Sequence, residues 1–315
     1  MGLQPQATVE DTYAEGFRSI YAEFLITARD QEWVEHCCRA VTGHASSTIL
    51  CDCEAGVSQY VDGRSPGQET PDGRPGAVIQ VHVPRFRKDR EQHLERVLLA
   101  RISQNVLTCP TARCFDRLTD EPTFFKLGKK IAYFGDGYQY RDQRWGTKGW
   151  VIPIMGGEFY LTRRFGYRSG IMGGNLWLMG TDVDAAIDAA RRGVERIGQM
   201  PDTITPFPGG IAASASKAGS RYSFLIASTY AEYCPTLRTT LGDRSRVPAG
   251  VESIMEIVIN GGTLDAVAAA THAAIEACRN TPGLVKISAG NYGGRLGKTF
   301  IYLDPQRHER ERRGA

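Results

Sequence analysis

The chain has 315 residues, of which 42% are hydrophobic and 23% are charged. This is ordinary globular composition, so it excludes a largely disordered or collagen-like chain. The 38 Lys and Arg residues exceed the 35 Asp and Glu residues by only three, so the net charge indicates no class of partner. The length corresponds to about two domains.

The N-terminus lacks the basic and then apolar segments of a signal peptide, and no stretch approaches about 18 apolar residues. We therefore expect a cytoplasmic protein with no membrane association and with its eight cysteines reduced. The cysteine spacings CC, CxC and CxxxxC and the scattered histidines match no metal motif, so we expect no metal.

The N-terminal half predicts alternating strands and helices. In chain order they are a strand at 20–27, a helix from Asp30 to Val41, strands at 47–53 and 77–83, a helix from Asp89 to Leu107, and a strand at 130–135.

The C-terminal half predicts the same order with stronger helical periodicity. A strand at 174–180 precedes a helix over 183–197, which buries Val183, Ile187, Ala190, Val194 and Ile197 and is capped by Thr181 or Asp182. Strands at 204–216 and 253–261 follow, then a helix over 264–278 capped by Thr263, and a strand at 284–290.

Both halves therefore read βαββαβ, which predicts an α+β fold of duplicated ferredoxin-like lobes with antiparallel sheets. The repeated pentapeptides CPTAR (109–113) and CPTLR (234–238) are consistent with duplication. We expect an N-terminal lobe at 1–150, a C-terminal lobe at 151–304 and a charged, frayed tail at 305–315.

Residues 126–168 carry nine Lys and Arg residues against three Asp and Glu residues, interleaved with aromatic residues. Basic and aromatic residues together are typical of single-stranded RNA binding, and βαββαβ is the topology of RNA-recognition domains. An RNA-binding protein is therefore an alternative, although no strand matches the family's characteristic motif and the overall charge is balanced. A solvated hairpin and a site for a small anion are further interpretations of this segment.

The chain also resembles formylmethanofuran:tetrahydromethanopterin formyltransferases. The blocks that carry the resemblance are VEDTYAEGF (9–17), ETPDGRPG (69–76), FGDGYQ (134–139), GGN (173–175), PFPGGIAASASKAGS (206–220), YCPT (233–236), SIMEIVING (253–261) and PGLVKISAGNYGGRLG (282–297). Archaeal members are strongly acidic, whereas this chain has a basic stretch at 84–96 and an extension beyond Leu303. These departures suggest the bacterial, methylotroph-type form, a subunit of a formyltransferase/hydrolase complex.

The resemblance implies transfer of a formyl group between N5 of tetrahydromethanopterin and the primary amine of methanofuran or an analogue, through a tetrahedral intermediate, in one-carbon metabolism and formaldehyde oxidation. The two carriers are co-substrates, and no metal or prosthetic group is implied. It also implies an oligomer with partner subunits and no nucleic acid. A non-catalytic structural subunit of the complex is the other alternative.

Glu256 is the residue that we expect to act in catalysis. Alternation places it on one strand face with Ile254 and Val258, where poor solvation raises the pKa of a carboxyl group. A neutral carboxylic acid can donate a hydrogen bond to an oxyanion or protonate a leaving nitrogen. The matching position of the family is its proposed catalytic glutamate. The structural alternative is an ion pair with Lys217 or Lys286.

The remaining candidates are substrate-binding residues. Glycines allow close approach of a ligand to the main chain, amide and hydroxyl side chains orient amide-like groups, and a lysine attracts carboxylates or phosphate. The candidates are Asn175, Gly209, Gly210, Ser214, Ser216, Lys217, Ser288, Gly290, Asn291, Gly293 and Gly294. For each of them a role in a turn or a helix cap is an equal alternative.

Overall fold

The computed structural model describes residues 6–314 of the chain. Its strands are β1 Thr8–Val9, β2 Tyr13–Thr27, β3 Glu54–Val61, β4 Gly76–Pro84, β5 Arg113–Asp116, β6 Phe124–Phe125, β7 Tyr140–Arg144, β8 Thr147–Ile154, β9 Gly157–Thr162, β10 Phe165–Gly166, β11 Arg168–Gly180, β12 Thr203–Ile204, β13 Ser216–Ala218, β14 Ala227–Thr229, β15 Ser253–Gly261, β16 Leu284–Ser288 and β17 Thr299–Tyr302. Its α-helices are α1 Gln31–Thr42, α2 Arg90–Arg101, α3 Leu127–Ala132, α4 Val183–Ile197, α5 Arg238–Leu241, α6 Leu264–Cys278 and α7 Pro305–Gly314.

The chain divides into two compact units. Ser19–Gly170 form one, here called the N-terminal unit, and the described residues on either side form the other, here called the C-terminal unit. The division falls inside β2 and β11 and therefore differs from the boundary expected at residue 150. Residues 6–18 belong with the second half of the chain because the start of β2 pairs with β17, from Tyr13↔Tyr302 to Gly16↔Thr299.

The N-terminal unit is built on four antiparallel strands in the order β5–β2–β4–β3. Helices α1 and α2 connect β2 to β3 and β4 to β5, and both pack against β4 over a core that includes Ile26, Val34, Ile79 and Leu94. Strand β5 also pairs in parallel with β9, which begins the antiparallel extension β9–β8–β7.

The C-terminal unit has four antiparallel strands in the order β16–β11–β15–β12, and β1 pairs with β16 in parallel. Helices α4 and α6 pack on each other and on β15, so the side chains of Leu176, Ile257 and Ile259 face the helices. The opposite face carries Trp177 and lies under the segment that joins β12 to β15. Helices packed on mainly antiparallel strands in each unit confirm the expected α+β class.

Two strand predictions in the N-terminal half are wrong. Residues 47–53 form turns, because the Glu54 carboxylate accepts bonds from the backbone N–H and the hydroxyl of Thr48. Residues 130–135 belong to α3 and a 3₁₀ turn, since the buried Leu127 and Ile131 have helical i, i+4 spacing.

The expected strand at 204–216 is mostly irregular. Strand β12 ends at Ile204, and the glycines of the following PFPGG segment have positive φ, 60° at Gly209 and 77° at Gly210. Ala212 then returns to the sheet as an isolated bridge to Glu256.

The two strongest helix predictions are confirmed in their bounds and caps. Asp182 caps α4 and Thr263 caps α6 through side-chain acceptors. The predicted buried face of α4 is wrong in part, because Val183 is 50% exposed and the deepest positions are Ala186, Ala189, Ala190 and Gly193. Small residues are needed there, since a Cβ on Gly193 would lie 2.9 Å from Cδ1 of Ile257.

The expected charged tail forms α7. Helix α7 is held against the C-terminal unit by ion pairs from Arg307 to Asp11, at 2.6 Å, and from Arg312 to Asp265. Ala315 lies outside the described residues.

All eight cysteines are free thiols. Within residues 6–314, no group of three or more His, Cys, Asp or Glu side chains could hold a metal ion. In the same part of the chain, no helix has the length and apolar character needed to cross a membrane.

A buried polar network crosses the sheet of the N-terminal unit. Gln80 donates to the Glu23 carboxylate at 2.8 Å, which leaves its amide oxygen to accept from Nε2 of His82 at 3.1 Å. Nδ1 of the same imidazole then accepts from the Ser19 hydroxyl at 3.1 Å, and the ring stacks on Tyr21. Burial lowers the pKa of His82 from 6.5 to about 3, so this imidazole stays neutral in the folded protein.

We expect His82 to make the N-terminal unit less stable in mild acid. Its depressed pKa stabilises the fold above pH 6.5, and this contribution is lost as the pH falls from 6.5 towards 3. From about pH 7.5 to about pH 5 the loss is about 2 kcal/mol. Urea unfolding at each pH measures it, and a His82→Asn variant should lack this part of the pH dependence. An equal slope in both proteins would contradict the assignment.

Candidate active site around Glu256

Glu256 lies in the middle of β15, on the sheet face opposite the helices. It pairs with Trp177 of β11, and its own N–H and C=O bond to the C=O and N–H of Ala212, both at 2.8 Å. The residue is only 5% exposed. The buried position expected from the alternation of β15 is therefore present.

Two side-chain donors reach one oxygen of this carboxyl group. Oε1 accepts from Nδ2 of Asn175 at 2.7 Å and from Nε1 of Trp177 at 3.1 Å. Burial is the dominant influence and raises the pKa of Glu256 to about 7, although both hydrogen bonds lower it. Oε2 has no hydrogen-bond partner within residues 6–314, so one oxygen remains available for a ligand.

The amide of Asn175 is held from its other side by the predicted glycine Gly290, whose N–H donates to Oδ1 at 3.0 Å. A Cβ at Gly290 would lie 2.4 Å from Nδ2 of Asn175, so only glycine permits this approach. These two contacts fix which end of the amide faces Glu256.

An aromatic cluster packs beside the carboxyl group. Trp177 contacts Tyr233 and Tyr230 with ring centroids 4.6 and 5.8 Å apart, and Tyr230 stacks on Tyr292. The Tyr292 hydroxyl donates to the backbone carbonyl of Ser216. Burial, and then the charge of Glu256, raise the pKa of Tyr292, so its hydroxyl stays protonated.

The alternative ion pairs of Glu256 are not formed. Lys286 instead lies 3.0 Å from the Glu10 carboxylate, which also accepts from the predicted Ser288 at 2.6 Å. Burial raises the pKa of Glu10, but the bonds from Ser288 and Lys286 outweigh it, and the net shift is downward. Lys217 makes no ion pair with Glu256 among the residues that the structure describes.

The other predicted residues divide into contacts and loop positions. Ser216 reaches the cluster through its carbonyl, whereas Asn291 caps its own loop by accepting from the N–H of Gly293 at 3.0 Å. Gly293 and Gly294 have positive φ, 66° and 73°. Ser214 is exposed, and the side-chain hydrogen bonds of Glu256 within the described residues come from Asn175 and Trp177 instead.

The basic segment at 126–168 lies in the N-terminal unit. Many of its cations have partners of their own: Lys130 pairs with Glu95, Arg144 with Asp142 and Glu158, and Arg141 lies over Trp150. Most of the segment forms the β7–β8–β9 hairpins. This favours the interpretation as a solvated hairpin.

Sequence reasoning missed Trp177, Tyr292 and Glu15. Trp177 lies two residues beyond the predicted Asn175 on the same strand, so strand alternation could have pointed to it. Tyr292 lies two residues beyond the predicted Gly290, but in a loop, where alternation gives no guide. Glu15 is 0% exposed, and its carboxylate accepts from backbone N–H groups of the glycine-rich loop. The signal for Glu15 was a charged residue inside a strand-like block.

The site combines a carboxyl group that titrates near neutral pH, a free carboxyl oxygen, an oriented amide and an apolar aromatic wall. Such a group can donate a hydrogen bond to a developing oxyanion when it is protonated and accept a proton when it is ionised.

Two family models match consecutive parts of this chain. Residues 4–154 match the model described as formylmethanofuran-tetrahydromethanopterin formyltransferase, and residues 157–305 match the model described as the proximal lobe of the same protein. Glu256 and its partners lie in the second range.

Two similar curated relatives are both named formylmethanofuran–tetrahydromethanopterin formyltransferase. The relative from Methanocaldococcus jannaschii is 42% identical, with 92% of this chain and 94% of the relative covered. The relative from Methanopyrus kandleri is 43% identical, with 94% and 96% covered.

Two solved structures are similar over nearly the whole chain. The formyltransferase from Methanosarcina barkeri has a TM-score of 0.88 at 41% identity, covering 94% of this chain and 97% of that one. A chain of the formyltransferase/hydrolase complex from Methylorubrum extorquens, solved with methylofuran, has a TM-score of 0.85 at 36% identity, covering 95% and 98%. This chain therefore belongs to the formylmethanofuran–tetrahydromethanopterin formyltransferase family.

Proposed function

We propose that this protein transfers a formyl group between N5 of tetrahydromethanopterin and the primary amine of methanofuran or an analogue. Family membership supports the reaction class. The observation that carries the proposal within the chain is Glu256, a buried carboxyl group with a pKa near 7 and one oxygen free.

In the proposed mechanism an amine nitrogen attacks the formamide carbon, and the carbonyl oxygen becomes an oxyanion. Protonated Glu256 donates a hydrogen bond from Oε2 to this oxygen, while Asn175 and Trp177 hold Oε1. The attacking nitrogen gives up one proton, and collapse of the tetrahedral intermediate breaks the bond to the other nitrogen, which takes up one proton as it leaves, so the transfer involves no net change in protons. The chain's task is to align both carriers and to stabilise the charge.

The substrate contacts are part of the proposal. Two sets of loops would contact the carriers through closely approachable glycine backbone, hydroxyl and amide side chains and one cation. The first carries Gly209, Gly210, Ser214, Ser216 and Lys217, and the second carries Ser288, Gly290, Asn291, Gly293 and Gly294. Asn175 orients the formamide end through its contact with Glu256. The two carriers serve as co-substrates, with no metal or prosthetic group in any step.

We further propose that the protein works in the cytoplasm as a subunit of an oligomer or of a formyltransferase/hydrolase complex. Its eight free thiols suit a reducing compartment. The similarity to a chain of the Methylorubrum complex supports partner subunits and a role in formaldehyde oxidation. Exposed apolar residues at the tip of the β13–β14 hairpin, among them Phe224 and Ile226, would suit a protein contact.

We also propose that both units are ferredoxin-like lobes that arose by duplication. In support, the four main antiparallel strands of each unit have the same order in the sheet. Counted along the chain, the first strand lies between the fourth and the third, the second strand is the outermost, and two helices connect the strands.

Replacing Glu256 with Gln should reduce formyl transfer by at least ~100-fold, the size expected for a lost proton donor to an oxyanion. The amide keeps the shape of the side chain, but its N–H is a far weaker acid than a carboxylic acid and therefore stabilises an oxyanion much less. The assay is transfer from formyl-tetrahydromethanopterin to a methanofuran-type amine, with Glu276→Gln, an exposed position on α6, as the matched control. Equal rates in the folded wild type and Glu256→Gln would refute this role of Glu256.

The pH profile of kcat/KM should fall above about pH 7, where Glu256 loses its proton. Trp177→Phe removes a hydrogen bond that lowers the pKa of Glu256, so its alkaline limb should move to higher pH. Rate measurements across the pH range test both points. A limb that stays fixed or moves to lower pH in the variant would contradict the assignment.

A further inference from the structure

A second buried carboxylate, Glu15, lies on β2 opposite Phe300 of β17. The loop at 289–298 connects β16 to β17 and folds back over Glu15. Four backbone N–H groups of this loop donate to the carboxylate: Tyr292 and Gly294 to Oε1 at 2.6 and 2.7 Å, and Leu296 and Gly297 to Oε2 at 2.9 and 3.3 Å.

These bonds make the carboxylate and the loop dependent on each other. A buried carboxylate is strongly destabilising unless donors replace its lost water, and buried N–H groups of a loop need acceptors. The loop also comes very close to β2, since a Cβ at Gly297 would lie 1.9 Å from the carbonyl oxygen of Gly16. The path of the loop backbone is therefore set by Glu15.

The same loop reaches Glu256 by two routes. At its start, the N–H of Gly290 orients Asn175, which donates to Glu256. Two residues later Tyr292 bonds the Ser216 carbonyl and stacks on Tyr230, which in turn contacts Trp177. The loop thus influences both side chains that donate to Glu256: it bonds directly to Asn175, and it contacts the neighbour of Trp177.

We propose that Glu15 is a positioning residue for formyl transfer: its carboxylate fixes the 290–297 loop so that Gly290 and Tyr292 hold Asn175 and the aromatic wall against Glu256. This inference rests on the proposed function. It adds a residue that makes no hydrogen bond to Glu256 and acts through the backbone of the loop.

The test is a Glu15→Gln variant. Glutamine keeps one acceptor oxygen but turns an NH₂ donor towards two of the loop N–H groups, so the loop must move. Displacement of aligned groups should lower kcat/KM roughly 10- to 100-fold.

The variant should also shift the pH profile, which a loss of stability alone would not do. Desolvation is the main reason for the raised pKa of Glu256, so water admitted by a displaced loop moves the alkaline limb to lower pH, opposite to Trp177→Phe. The titratable groups around Glu256 are Tyr292 of the loop and Tyr230 and Tyr233 beside Trp177, and tyrosines are uncharged at neutral pH.

Thr263→Ala is the matched control, because it removes the cap of α6 in the same unit and leaves the loop intact. It should lower the unfolding midpoint without changing kcat/KM or its pH limb. A Glu15→Gln variant whose rate and pH limb match the wild type would overturn the inference.

Hydrogen exchange at 292–297 separates this inference from the proposed function. Exchange there should be faster in Glu15→Gln than in the wild type, while α6 and β15 keep their protection. Slow exchange in the variant would overturn the inference even if the wild type transfers no formyl group. Absence of transfer by the wild type, with faster loop exchange in the variant, would overturn the proposed role of Glu15 together with the function.

Discussion

The organisation of the C-terminal unit centres on the carboxyl group of Glu256, which is buried away from water and accepts hydrogen bonds from two side-chain N–H groups. Glu256 sits between aliphatic neighbours on β15 and under the segment from 205 to 252. Asn175 and Trp177, both on β11, bring their donors to the same oxygen because alternation puts them on one face of the sheet. The antiparallel register of β11 with β15 is therefore what creates the site.

The N-terminal unit provides a contrast, because it buries polar groups on two adjacent strands, β2 and β4. There the imidazole of His82 is bonded on both nitrogens, by Ser19 and Gln80, and burial keeps it neutral. At Glu256, by comparison, one oxygen has no partner within the described residues. A satisfied network stabilises a sheet, whereas a group with spare hydrogen-bonding capacity can act on a ligand.

The sequence predicted the parts of the fold that depend on local signals. Asp182 and Thr263 marked helix starts because their side chains cap the first turn, and alternation in β15 was enough to bury Glu256. It failed where the decisive partner is distant or the local signal is ambiguous. The segment 130–135 is short and largely apolar, so its hydrophobic periodicity could not distinguish a strand from the helix α3. The four hydrogen bonds to the Glu15 carboxylate link residues about 280 positions apart, and no local sequence pattern predicts them.

A pKa near 7 also bears on the rate of transfer in both directions. Transfer in either direction passes through the same tetrahedral intermediate, so the hydrogen bond from protonated Glu256 to its oxyanion is needed in both. A carboxyl group of ordinary pKa would be almost entirely ionised at neutral pH and a poor donor. With a pKa near 7, Glu256 keeps a substantial protonated fraction at neutral pH and accelerates transfer in both directions, whereas the direction of net flux depends on the equilibrium constant and on the concentrations of the two carriers. The same site therefore suits a family whose named members include enzymes of archaea such as Methanopyrus kandleri and a chain of a bacterial complex.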